Sequence, residues 1–293
     1  MKNFISITIA FFLLACQSSS ETITTLYSLP KKLKEVSGIA YAEKDNLFWV
    51  LQDSGNSTTL YGLSTAEGNI QKKVTIENAQ NIDWEDLAKD AAGNLYIGDF
   101  GNNHNDRKDL CIYKIDKNSL VDKAKITPVY KVSFSYPEQK DFPPKKTEFF
   151  YDAESFFEHN GNFYLFTKNR SKGFDGTLSV YKIPNSAGTH QAVLIGKLKT
   201  CDKYNHCVIT SADISPDDSK IVLLAHDKIF LIEKFKGNDF LNGTQTELKL
   251  NHFSQKEAIC FKDNNTLIIA DEKSGLSGGK VYEVSLDKLK SVP

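Results

Sequence analysis

Arginine is almost absent from this 293-residue chain: Arg107 and Arg170 stand alone among 36 basic residues. Bidentate phosphate clamps and base-specific readout of nucleic acid both lean on arginine. The net charge of −1 adds no electrostatic pull toward nucleic acid, so no nucleic-acid partner is expected. The six histidines are scattered, with no H-x-H or H-E-x-x-H spacing, and no C-x-x-C pair occurs. The common zinc motifs are therefore missing. Helical periodicity is hard to find beyond the first residues, and no later run is long enough to span a bilayer.

The one long apolar run lies at the start. Lys2 precedes it, Phe4 to Ala15 form it, and Leu13-Leu14-Ala15-Cys16 closes it. It is shorter than the roughly 20 residues of a transmembrane helix and has signal-peptide length. Small Ala15 fits a peptidase pocket, and Cys16 offers a thiol for diacylglycerol. The segment resembles the lipobox of bacterial lipoproteins. Residues 1–16 thus read as a signal peptide ending at a lipidated Cys16, 17–21 as a short tether and 22–293 as one domain. The soluble domain is then expected outside the cytoplasm, in the cell envelope, held to a membrane by its lipid. An ordinary signal peptide with a chance cysteine is the alternative.

The remainder repeats. Each copy has an apolar segment, a polar turn, a second apolar segment, a polar loop and a third segment carrying Tyr or Phe. Copies start at Ser37, Glu85, Glu154, Ala212 and Glu257. The segments are β-branched and aromatic, and the turns carry Asn and Gly, which signals strands and hairpins. Units of this size with four strands each are propeller blades. A fourth strand follows four of the copies, at Lys72–Ile76, Val129–Phe134, Ala192–Leu198 and Thr246–Leu250. The fifth lacks one, and Ile23–Leu29 can supply it from the N-terminus. The expected fold is all-β: a single five-bladed propeller closed by the N-terminal strand. Six blades is the alternative, if the long second interval hides another; Pro137, Pro143 and Pro144 there favour an excursion instead.

Asp83-Trp84-Glu85-Asp86-Leu87-Ala88, Gly93 through Asn102, and Asp152 through Phe156 resemble blade signatures of exported bacterial propellers. The groups concerned are the SdiA-regulated and esterase-like phytase type and, more distantly, the gluconolactonase-like propellers. The likeness covers most of Glu35–Leu286. It bears on fold more than on activity, because one propeller scaffold carries many functions.

In a propeller, the start of each innermost strand and the loop between second and third strands meet at one face. Here those positions are acidic. Glu85, Glu154, Glu257, Asp53 and Asp99 form a candidate set of hard oxygen ligands, suited to Ca²⁺. Gluconolactonase-like propellers place carboxylate and Asn ligands around a channel metal, so the resemblance implies a similar arrangement. Salt bridges to Lys168, Arg170 and Lys273, or capping of backbone amides, are the alternative use of these carboxylates. Asn102, Asn103, Lys168, Asn169, Arg170, His226 and Asp271 are expected on the same ligand-facing surface. Cys201 and Cys207 lie six residues apart in a polar stretch, where an oxidising compartment allows a loop disulfide; free thiols are the alternative. Cys111 and Cys260 sit in apolar runs and read as core thiols.

Two functions remain open. One is an envelope binding propeller for a protein, peptide or glycan. The other is a Ca²⁺-type hydrolase of a lactone or ester, with one Glu as base. No complete nucleophile–base set is visible. Gly275-Leu276-Ser277-Gly278-Gly279 matches G-x-S-x-G on paper, but a strand rather than a helix follows it, so a glycine hairpin is the better reading.

Overall fold

The computed structural model describes residues 22–291. The signal peptide, Cys16 and the tether expected over 1–21 lie outside the described residues. Within them no helix is long and apolar enough to cross a membrane.

Hairpins punctuate the chain where the turn residues predict them. Asn46, Gly93, Asn160, Gly161 and Asp218 all take the left-handed backbone conformation that tight turns require. Each hairpin joins the first two strands of a sheet. Blade 1 comprises Val36–Ala42, Leu47–Gln52, Thr59–Ser64 and Ile70–Ile76. Blade 2 comprises Trp84–Lys89, Leu95–Asp99, Cys111–Ile115 and Tyr130–Ser135. Blade 3 is Asp152–His159, Asn162–Lys168, Thr177–Pro184 and Val193–Lys199. Blade 4 is Ser211–Ile214, Lys220–Leu224, Lys228–Glu233 and Thr244–Lys249. Blade 5 takes Lys256–Phe261, Thr266–Asp271 and Lys280–Ser285 from the C-terminal end, and its outer strand is Thr24–Ser28 from the N-terminal end. The first strands of successive blades are neighbours all the way round, from blade 5 back to blade 1. The fold is a five-bladed β-propeller closed by its N-terminal strand. The proline-bearing segment after Ser135 forms no blade.

Five separate apolar clusters fill the five junctions between adjacent blades. Trp49 and Trp84 are both buried in the cluster between blades 1 and 2. Burying side chains of this size contributes about 2–3 kcal/mol each. The buried thiols Cys111 and Cys260 lie within such clusters. Cys201 and Cys207 are joined as a disulfide, with 5.2 Å between their Cα atoms.

Three additions at the rim are absent from the repeat pattern. Lys125–Ile126 pairs in parallel with the outer strand of blade 1, and Gly188–Gln191 in parallel with that of blade 2. Lys290–Ser291 pairs antiparallel with the outer strand of blade 4. Each is chain from the following blade covering an edge that would otherwise offer free backbone groups.

Candidate functional site at the channel mouth

Four of the five innermost strands carry a β-bulge at the same place. The extra residue is Ser37 in blade 1, Glu85 in blade 2, Glu154 in blade 3 and Glu257 in blade 5. Bulges re-aim side chains and are common beside functional sites. In blades 2, 3 and 5 the bulged residue is a glutamate at the end of the strand nearest the carboxylate loops, while Ser37 donates its hydroxyl to Trp84 O at 2.8 Å.

The mouth is crowded with carboxylates from several blades. One ligand oxygen from each of Asp53, Asp83 and Glu85 lies within 4.8 Å of the others. Gly101 makes this possible: a Cβ there would sit 2.1 Å from Glu85 Oε1 and 2.4 Å from Asp83 Oδ2. Burial raises Glu85 well above the usual carboxylate range, and the charges of Glu154, Asp53, Asp83 and Asp152 push the same way. Asp83 rises to about 7, first through burial and then through Asp53 and Asp152. Glu272, in the loop after blade 5's second strand, rises to about 8 through burial and the charges of Glu257, Asp53, Glu35 and Glu154. Like charges in a partly dry site favour protonation or recruit a cation.

The structure divides the expected metal set. Asp53 and Glu85 meet, joined by Asp83. Glu154 is bound instead by Lys168 Nζ and, at 2.6 Å, by Arg170. Arg170 also contacts Asp152. Burial pushes Glu154 up and Lys168 draws it down, while the carboxylates hold Lys168 and Arg170 protonated. The two cations offset only part of the effect of burial, and Glu154 stays raised, at about 8. Asp99 is fully buried against Arg107 at 3.0 Å and accepts the Asp83 amide at 3.1 Å. Glu257 lies 3.3 Å from His226 Nε2.

Several residues expected to face a ligand serve the scaffold. Asn102 is buried, donating to Tyr151 O and accepting from the Arg107 amide. Asn103 is exposed. Asn169 is buried and braces Thr177 and Ser171. Asp271 is fully buried, accepting from the Lys280 amide and the Tyr282 hydroxyl at 2.7 Å each. Gly275 to Gly279 lie in a small hairpin formed by Lys273–Ser274 and Ser277–Gly278.

Asp86 is the residue that the repeat pattern does not flag. One position deeper than Glu85, it crosses the axis. It accepts from Phe156 N of blade 3 at 3.2 Å, and from Ser211 Oγ at 3.0 Å and Ala212 N at 3.5 Å in blade 4. Ser211 Oγ in turn accepts Ile259 N of blade 5 at 3.1 Å. Below this, Asp213 takes the Phe261 amide while Lys89 reaches Tyr41 O of blade 1. These tie the blades across the axis beneath the mouth. The signal in sequence is faint, since Asp86 sits within a run of acidic residues.

Exposed apolar side chains lie in the loops at this end of the blades. Ile82, Phe150 and Phe253 lie in segments leading into the innermost strands of blades 2, 3 and 5, and Leu276 stands fully exposed at the tip of the blade 5 hairpin. Phe253 lies between His206 and His226, at 5.2 and 5.8 Å between ring centroids. His206 is hydrogen-bonded to Asp227 at 2.6 Å.

No family model and no curated protein matches the chain. Among solved structures it is similar to a hydrazine synthase of Kuenenia stuttgartiensis, at 12% identity and TM-score 0.42 over 80% of this chain. It spans 61% of that protein's length. It is also similar to the β-propeller domain of Cps50 (Swd1) from Myceliophteria thermophila, at 9% identity and TM-score 0.45, covering 90% of this chain and 99% of that one. A nidogen–laminin complex aligns at 12% identity and TM-score 0.49, covering 92% and 90% respectively. The five-bladed ring stands on its own strand pairing.

Proposed function

We propose that this chain is an exported, lipid-anchored binding propeller of the kind its blade signatures resemble. Its ligand is a basic segment of another protein, carrying lysine or arginine beside apolar side chains. The observation that carries this is the cluster of carboxylates at the mouth, with exposed Ile82, Phe150, Phe253 and Leu276 in loops at the same end of the blades. Cationic groups relieve the repulsion, while aromatic and aliphatic anchors supply contact area. The anchor rests on the lipobox-like run ending at Cys16.

A direct test uses a fluorescent peptide of alternating lysine and leucine, with a glutamate–leucine peptide as control. Saturable binding of the first alone is expected, weakened at least tenfold by Asp53→Asn, Asp83→Asn and Glu85→Gln combined. Equal binding by that variant sinks the reading.

Calcium is a second occupant favoured by one specific feature, the three converging oxygens of Asp53, Asp83 and Glu85. This donor set fits Ca²⁺, which takes 6–8 oxygens and completes its shell with water or backbone carbonyls. Calorimetric titration with CaCl₂ separates the two readings, since only a metal site binds the ion without peptide. Hydrolysis is less well supported, because Glu154, a candidate base, is engaged by Lys168 and Arg170.

A further inference from the structure

We infer that the face opposite the acidic mouth is the membrane-proximal surface, so that the mouth opens away from the lipid. This rests on the proposed lipidation of Cys16. Thr24–Ser28 is the outer strand of blade 5, and its register sets Ser28 against Lys280 and Thr24 against Glu283. Lys280 begins the third strand of blade 5, directly after the loop that carries Glu272 and the Leu276 hairpin on the mouth side. Ser285 ends that strand on the opposite side, where it pairs with Thr266 at the turn between the first two strands. The chain therefore enters the propeller at the end of blade 5 farthest from the mouth and climbs toward it.

Length completes the argument. Five residues, 17 through 21, separate Cys16 from the described chain, and the six Cα–Cα steps from 16 to 22 reach at most about 22 Å. Running back up the five-residue outer strand takes about 17 Å, before the Leu276 hairpin is passed. Turning the mouth to the bilayer would use nearly the whole tether, held straight against the blade. Setting the opposite face down, with exposed Asp263, Asp287 and Lys288 beside the entry point, needs no extension. A partner approaching from the far side of the compartment then meets the carboxylates directly.

The test uses the full lipidated protein in phosphatidylethanolamine–phosphatidylglycerol vesicles containing a headgroup-quencher lipid. Leu276→Cys and Asp287→Cys are each labelled with the same fluorophore. The mass of the purified N-terminus is measured first, and an unmodified Cys16 overturns the lipidation on which the inference rests. With lipid present, quenching at position 287 is expected to exceed that at 276 by at least threefold. Equal quenching, or stronger quenching at 276, overturns the orientation alone. Inserting twenty Gly/Ser residues after position 18 is expected to abolish the difference; persistence would overturn the tether as its cause.

Discussion

Removing the Asp86 carboxylate should destabilise the propeller more than any change at the mouth. Asp86→Ala strands three donors from other blades: Phe156 N–H, the Ser211 hydroxyl and Ala212 N–H. Its contact with its own neighbour, Leu87 N, is also lost. A buried donor left without a partner costs about 1–3 kcal/mol. The bond to Ala212, at 3.5 Å, is weak, and water entering the space recovers part of the rest. Set against this, burial raises Asp86 well above the usual range, so charging it in the folded state is itself unfavourable. The net expectation is a loss of about 3–4 kcal/mol from a domain whose total stability is on the order of 5–15 kcal/mol. Guanidinium unfolding followed by tryptophan fluorescence reads this, because Trp84 is two residues away. Ser211→Ala, combined with Asp86→Ala in a double-mutant cycle, should show a coupling of about 1–2 kcal/mol. A loss under about 1 kcal/mol, or no coupling, would refute the idea that Asp86 ties the blades.

Other outcomes follow from the same contacts. Asp83 and Glu272 have folded pKa values near 7 and 8, above their unfolded values, so the native state holds more protons between about pH 4 and 8. Stability should then fall as pH rises through that window, giving a higher melting temperature at pH 5.5 than at pH 8. For Asp83 alone the rise from 3.8 to about 7 would be about 4 kcal/mol in a dry site. The group is only part-buried, so about 1–2 kcal/mol is expected, and Asp83→Asn should flatten the profile. Peptide binding at the mouth should weaken in the acidic half of the same window, seen by fluorescence anisotropy. Cys201→Ser with Cys207→Ser should cost about 2 kcal/mol by loop-closure entropy, measured by calorimetry against the parent protein. Lys168→Met should cost about 3 kcal/mol by leaving Glu154 short of a cation, with Glu154→Gln restoring part of the loss in a thermal melt.

The architecture was legible because period and turn chemistry agree. The repeat starts at 37, 85, 154, 212 and 257 fall on the second or third residue of the innermost strands, and the N-terminal strand closes the ring. The rim strands were not legible. Lys125–Ile126 and Lys290–Ser291 are two residues long and carry no alternation. The site was half legible. Convergence of acidic positions follows from blade geometry, but the pairing of each carboxylate depends on side-chain reach across blades. Asp99 meets Arg107 eight residues on, and Asp152 meets Arg170 eighteen residues on, within one blade. Asp86 meets Ser211 across 125 residues, which no local pattern records. Asn102 is expected on the ligand-facing surface, and Asn105 carries no signal in the repeat pattern. They are buried brackets that hold the proline-bearing excursion, through Tyr151 and through Gln139, whose amide donates to Asn105 O at 2.7 Å.

The sign of a stability change distinguishes carboxylates that serve the ligand from those that serve the fold. Asp152 accepts the Asn102 amide at 2.7 Å and contacts Arg170, so Asp152→Asn should lower stability by breaking a buried ion pair. Glu85 is also buried, yet among the described residues it makes no side-chain hydrogen bond and faces Asp53 and Asp83. Neutralising it removes repulsion and desolvation cost together, so Glu85→Gln should stabilise the free protein at pH 8 by about 1–2 kcal/mol. The same change should weaken binding of a cationic peptide. A residue that stabilises when removed and is needed for binding bears a strain that only the ligand relieves. Parallel melts of Glu85→Gln and Asp152→Asn at pH 8, with and without the lysine–leucine peptide, decide the matter. If Glu85→Gln destabilises like Asp152→Asn, its carboxylate belongs to the scaffold, and the mouth loses its strongest claim to be a binding site.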